Sequence, residues 1–238
     1  MQTSVYRGSE RYSTRSSDRV THHSFSFGKH YDPDNVAFGP MRCHDDHRLS
    51  WGAGFPEHAH SDVELVTWVL HGQLVHTDSS GHRSLLPAGT VQVQSAGSGI
   101  RHAEFADTSP EPTRFVQTWL VPDEVDGPPA TFVASGMRSS RLIAVAGEGA
   151  QVPIGTAGAT LWAGTLPAGE THDVPVCATQ HLFVASGEVT WRSLGHDDVV
   201  LRSGDAMRIT GADDVESTLE PAHESDVLLW TFGPAPKG

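Results

Sequence analysis

Cysteine is nearly absent from this chain. Of 238 residues only Cys43 and Cys177 carry a thiol, far apart and outside any C-x-x-C spacing, which excludes a disulfide framework and a cysteine-based zinc site. Both are expected to be ordinary small residues at buried or half-buried positions. Basic residues are also few: 16 Lys and Arg stand against 29 Asp and Glu, a net charge of −13. Tight binding to phosphate backbones needs clustered Lys and Arg to displace counterions, so direct nucleic-acid binding is not expected. No run approaches the roughly 18 apolar residues of a membrane span, and residues 1–7 lack the apolar centre of a signal peptide. The expectation is a cytoplasmic protein with no membrane partner.

Turn-forming residues and histidine are plentiful instead. The 24 Gly and 15 Pro imply many turns rather than long helices, and 37% hydrophobic with 19% charged residues is a globular balance. Short apolar or alternating runs bounded by Gly, Pro, Asp and Ser recur at residues 65–70, 74–77, 90–93, 114–120, 182–185, 189–192 and 227–232, which are strand signals. A weak repeat organises them. Gly72-Gln73-Leu74 and Gly89 return as Gly187-Glu188-Val189 and Gly204 at an offset of 115 residues, the mark of a duplicated unit. The expected architecture is all-β: an N-terminal barrel over 1–125, a connection over 126–150 carrying Pro128-Pro129 and Gly147-Glu148-Gly149, and a C-terminal barrel over 151–238.

Two short clusters carry the chemistry, His58-Ala59-His60 and His102-Ala103-Glu104. On an extended strand, side chains two residues apart point the same way, so each pair can aim two donors at one point. Two such strands facing each other can hold one ion, with three imidazoles and a carboxylate leaving positions of an octahedron open to a substrate. Glu64 shares the parity of His58 and His60 and is expected to face the same cavity. The offset of 115 sets Asp173, Pro175, Ser217 and Leu219 opposite His58, His60, His102 and Glu104, so the second half lacks the donor set. His172, His181 and His223 have no H-x-H partner and are expected to be structural or surface residues. Phe25, Phe27, Trp51, Phe55 and Trp68 are either barrel core or pocket wall.

Gly52, His58, His60, Glu64 and Gly72, followed by Gly81, Pro87, Gly89 and His102, resemble the two motifs of the cupin superfamily. Two departures, an extra residue between Glu64 and Gly72 and a long interval between Gly89 and His102, resemble the pirin family of bicupins. So do His23-Ser24-Phe25-Ser26-Phe27, Tyr31-Asp32-Pro33, the run at residues 64–70, His76-Thr77-Asp78-Ser79 and the run at residues 95–104. The resemblance implies two tandem double-stranded β-helix barrels and a metal held by His58, His60, His102 and Glu104, in a group that includes bacterial quercetin 2,3-dioxygenases. Ala59 and Ser61 stand where the family usually has Pro and Arg.

As an enzyme of that kind the chain would open a flavonol, or a similar enolic aromatic, with O2. Iron(II) is the preferred ion; nickel, manganese, copper and zinc also suit a mixed nitrogen and oxygen site. A carboxylate beside the substrate hydroxyl would remove its proton. Glu104 is the first candidate, though as a metal ligand it is a weakened base; Glu64 is the second, with the orienting of a metal-bound histidine as its other role. The competing expectation from the resemblance is a non-enzymatic, iron-containing regulator that binds a protein partner according to the iron's redox state. A bicupin with a non-flavonoid substrate is a third.

Overall fold

The computed structural model describes residues 1–107 and 111–233, so residues 108–110 of the first expected barrel and 234–238 of the second lie outside the described residues. Apart from one 3₁₀ turn, Gly8–Glu10, the described secondary structure is all strand, and no described helix is long and apolar enough to cross a membrane. The chain forms two compact units, one of Tyr12–Met137 with Val152–Thr156, the other of Met1–Arg11, Arg138–Gln151 and Ala157–Gly238.

In the first unit, seven antiparallel strands run in the spatial order Ala130–Ala134, Val91–Ser95, Glu64–His71, Thr113–Leu120, Met41–Leu49, Arg19–His23 and Tyr12–Arg15. A second sheet holds Gly54–His60, Ile100–Ala106, Gln73–Asp78 and Arg83–Pro87. Alternation along each strand sends one set of side chains between the sheets. There Leu49, Val69 and Phe115 of the large sheet meet Leu74, Leu86 and Ala106 of the small one in a buried cluster.

The second unit repeats this plan. Six strands, Gln2–Tyr6, Ala206–Thr210, Thr179–Val184, Ser225–Phe232, Ala159–Leu166 and Ile143–Gly147, accompany a sheet of His172–Asp173, Ser217–Pro221, Glu188–Ser193 and Val199–Arg202. The offset of 115 holds strand by strand, since Glu64, Gln73 and Val91 open strands in the first unit and Thr179, Glu188 and Ala206 open theirs in the second. The repeated turn glycines are constrained alike. Gly72 and Gly187 have φ of +68° and +84°, a region only glycine enters without strain. A Cβ would also lie 2.8 Å from the Thr113 hydroxyl at Gly72 and 2.1 Å from the Ser225 hydroxyl at Gly187.

The boundaries differ from those expected at residues 125 and 150. Gln2–Tyr6 pairs with Ala206–Thr210 in the second unit. The segment read as a connection contributes one strand to each unit, Ala130–Ala134 against Val91–Ser95 and Ile143–Gly147 against Ala159–Leu166. Each of these strands supplies hydrogen-bond partners to what would otherwise be an open sheet edge. The Pro and Gly of the segment mark its turns and hide the short strands between them.

The interiors diverge. In the first unit His76, Gln92, Gln94 and Glu104 are buried, and at the 115 offset the second unit has Trp191, Met207, Ile209 and Leu219, all in its apolar core. The pairings match, since Glu104 lies opposite His76 as Leu219 lies opposite Trp191.

The N-terminal segment is pinned by the buried carboxylate of Asp205. It accepts from the Gly8 backbone N–H at 2.7 Å, the Arg7 guanidinium at 2.7 Å and the Arg202 backbone N–H at 3.0 Å. Asp205→Ala leaves the Gly8 and Arg202 backbone N–H groups without this acceptor, while Arg7 keeps its bond to the Val200 carbonyl oxygen, and is expected to lower stability by about 2 to 3 kcal/mol. Urea unfolding would register that loss, and faster amide exchange within residues 2–6 would place it at the first strand.

Candidate metal centre and its cavity

The strands Gly54–His60 and Ile100–Ala106 lie antiparallel, with His102 opposite His58 and Ile100 opposite His60. This register and the i, i+2 alternation bring three imidazoles together. Ring centres are 4.8 Å apart for His58 and His60, 4.5 Å for His58 and His102, and 4.9 Å for His60 and His102. One ring nitrogen from each falls within 4.8 Å of the other two.

Their hydrogen bonding fits a cation. His58 Nδ1 lies 2.8 Å from the Pro56 carbonyl oxygen, so Nδ1 carries the proton and Nε2 presents a lone pair. That Nε2 faces His102 Nε2 at 3.0 Å. Metal bonds of about 2.1 Å at right angles place neighbouring ligand atoms about 3.0 Å apart. His60 Nε2 is buried with no hydrogen-bond partner, an arrangement that burial makes costly unless the lone pair is used. Burial, and then the charge of His58, lowers the His60 pKa to about 4. Burial, followed by the charges of His58, His60 and His76, lowers that of His102 to about 3. Both rings are therefore neutral near pH 7, the form that binds a metal.

Glu104 enters from the other side of His102. A register shift between His102 and Glu104 sets Glu104 opposite Phe55 on one neighbouring strand and His76 on the other. Its carboxylate groups within 4.8 Å with His102 and His76 rather than with His58 and His60. Burial pushes its pKa up to about 7, although Gln117 Nε2 donates to both oxygens at 3.0 Å. The Gln117 amide is itself oriented, because its oxygen accepts the Trp119 indole N–H at 3.0 Å, which turns the NH₂ toward Glu104.

His76 was legible only as part of a family-like stretch, yet it stands beside the cluster, its ring 5.3 Å from that of His102. Gln92 Nε2 lies 3.1 Å from its Nδ1, and Asp78 Oδ2 lies 3.3 Å from its Nε2. The signal that could have found it is cross-strand pairing with Glu104, which needs the register.

Glu64 is elsewhere. Its Oε2 accepts from the Ser95 hydroxyl at 2.8 Å and the Gly155 N–H at 3.0 Å, so it fastens residues 152–156 to the first unit. The parity argument fails because Asp62, at φ +50°, turns the chain between Gly54–His60 and Glu64–His71, and these strands belong to different sheets.

The cluster borders a cavity of about 380 Å³ whose wall includes His58, His60, Glu104, Gln117, Trp119, Phe27 and Phe55. Of the other aromatic candidates, Phe25 and Trp68 are core and Trp51 is exposed. Cys43 is buried against the cavity and Cys177 is half-buried. His172 and His181 are buried and His223 is exposed, and among the described residues no comparable donor group forms in the second unit.

The pirin family model matches residues 6–120. A Mycobacterium tuberculosis protein provisionally named a quercetin 2,3-dioxygenase is 37% identical over 234 residues, 95% of this chain and 93% of its own. A pirin-like protein of Caulobacter vibrioides is 35% identical over 212 residues, 84% of this chain and 90% of its own. The chain belongs to the pirin family. Among solved structures, the bacterial pirin YhhW of Escherichia coli in complex with nickel(II) matches with a TM-score of 0.85 and 27% identity, over 98% of this chain and 100% of that one. This pirin accordingly has the two-barrel cupin fold.

A buried carboxylate without a cation is a local liability for this pirin. The Glu104 pKa is raised from 4.5 to about 7, so ionisation opposes folding above pH 4.5 and the penalty is complete above pH 7. That shift, in which the hydrogen bond from Gln117 is already included, corresponds to about 3 kcal/mol. Glu104→Gln is expected to raise the stability of metal-free protein at pH 8 by up to about 3 kcal/mol while removing most of the stabilisation that added metal gives. Thermal unfolding with and without metal measures both.

Proposed function

We propose that this pirin is a metal-dependent dioxygenase that opens a flavonol such as quercetin, or a similar enolic aromatic, with O2. In this reading His58, His60, His102 and Glu104 hold one divalent ion, iron(II) by preference. The same donors accept nickel, manganese, copper and zinc. The observation that carries the reading is the convergence of three imidazoles at the border of a cavity with aromatic walls. When bound, the ion supplies a Lewis acid for the substrate's enolate oxygen and, as iron, a partner for electron exchange with O2.

The side chains supply position and proton transfer. Burial keeps His60 and His102 uncharged near pH 7, and together with His58 they leave the open side of the cluster to the ligand. Phe27 and Phe55, with Trp119 held by its bond to Gln117, offer apolar faces to a planar ring and keep water from it. Glu104 is a ligand first and a base second. While its carboxylate is not neutralised by a cation, burial makes it basic enough to take a hydroxyl proton near neutral pH, and Gln117 keeps it aimed. The Glu64 carboxylate is committed to Ser95 and Gly155, which leaves Glu104 as the proton acceptor.

Oxygen uptake by protein loaded with iron(II) under anaerobic conditions, on addition of quercetin, tests the reading. Wild-type protein is expected to consume O2, with the loss in His58→Ala exceeding about 100-fold together with loss of bound metal. Equal uptake by the two proteins would assign the reaction to free metal or autoxidation.

A further inference from the structure

Arg19 reaches the cavity from the strand Arg19–His23. Its Nη1 donates to the Gly54 carbonyl oxygen, and its guanidinium carbon lies 4.8 Å from the centre of the Phe55 ring. The anchoring carbonyl is fixed by packing. Gly54 pairs with Phe105, and a Cβ at Gly54 would lie 2.2 Å from the Glu104 carbonyl oxygen, so the two strands touch there with no room for a side chain. Arg19 is therefore held over an aromatic face at a defined place.

Most of its donor capacity is unspent. A guanidinium carries five N–H donors, and among the described residues no carboxylate forms an ion pair with Arg19. The cavity's two acids are engaged elsewhere: Asp45 lies 2.7 Å from His23 Nδ1, and Glu104 accepts from Gln117. In a chain of net charge −13, this is a positive group without a counter-charge opening on a pocket. A guanidinium held over an aromatic ring with N–H donors unspent is suited to a planar anion, above all a carboxylate gripped by two parallel hydrogen bonds.

We propose that Arg19 determines specificity by recognising an anionic group, and that the preferred ligand is a planar hydroxyaromatic carboxylate. Its acid group sits on Arg19 and its hydroxyl points toward His58 and His60. Arg19, His58 and His60 line the same cavity, and the Gly54 carbonyl that anchors Arg19 lies four residues from His58 on one strand, about 13 Å of extended chain, a scale that suits a substituted fused-ring acid. The assignment rests on the reading of this cavity as the substrate pocket. It narrows the substrate class from any enolic aromatic to an acidic one.

Calorimetric titration of the full chain with 6-hydroxy-2-naphthoate and with its primary amide tests the proposal, before and after treatment with a chelator. Wild-type protein is expected to bind the acid about 10- to 100-fold more tightly than the amide in both states. Arg19→Gln should lose that preference while still binding the amide, and an unchanged circular dichroism spectrum and unfolding midpoint would report an intact fold. Arg19→Lys should keep part of the preference. Equal affinity of wild type for acid and amide, a preference that survives in Arg19→Gln, or one that disappears on chelation would each overturn the assignment. If quercetin-dependent oxygen uptake fails while the Arg19-dependent preference stands, the dioxygenase reading falls alone; if uptake succeeds without the preference, this inference does.

Discussion

The cross-strand contact between Gly54–His60 and Ile100–Ala106 is the constraint on which the centre depends. His58 meets His102 because these two strands pair in one register, and a slip of one residue would turn every donor to the opposite face. The lack of a side chain at Gly54 lets the backbones approach, and the shift between His102 and Glu104 redirects the carboxylate toward His76. The same contact fixes the carbonyl that receives Arg19. Ion site and pocket cation are thus set by one piece of backbone geometry.

The two units show what this centre demands of a fold. On one strand plan, the second unit fills its interior with Trp191, Met207, Ile209 and Leu219, whereas the first buries His76, Gln92, Gln94 and Glu104 at the corresponding positions. The scaffold therefore does not need the polar set in order to form. Buried amides, imidazoles and a carboxylate are less favourable than packed hydrocarbon unless each is satisfied. Their retention at these positions of the first unit, with His60 Nε2 buried beside two further imidazoles and lacking a hydrogen-bond partner, is the arrangement a ligand site there would require.

Local periodicity made part of this legible in the sequence. The grouping of His58, His60 and His102 could be anticipated because alternation in a strand is a short-range rule, whereas Glu104 groups with His102 and His76; the duplication could be read because Gly72 and Gly187 occupy the same left-handed turn. Glu64 was misplaced because parity does not survive the turn at Asp62. Gln117, His76 and Arg19 were out of reach for a different reason: each acts through a partner on another strand, and an isolated Gln or Arg has no spacing that announces it. The N-terminal strand Gln2–Tyr6 was assigned to the nearer barrel for want of any local signal that it pairs with Ala206–Thr210.

The central claim is that the first unit's polar interior holds one divalent ion and the second unit's apolar interior holds none. Anomalous diffraction from crystals of the full chain grown with iron(II) under anaerobic conditions tests it most directly. The account predicts one strong metal peak per chain, bonded to His58, His60, His102 and Glu104. A chain without a peak there, or with its peak in the second unit, would contradict it.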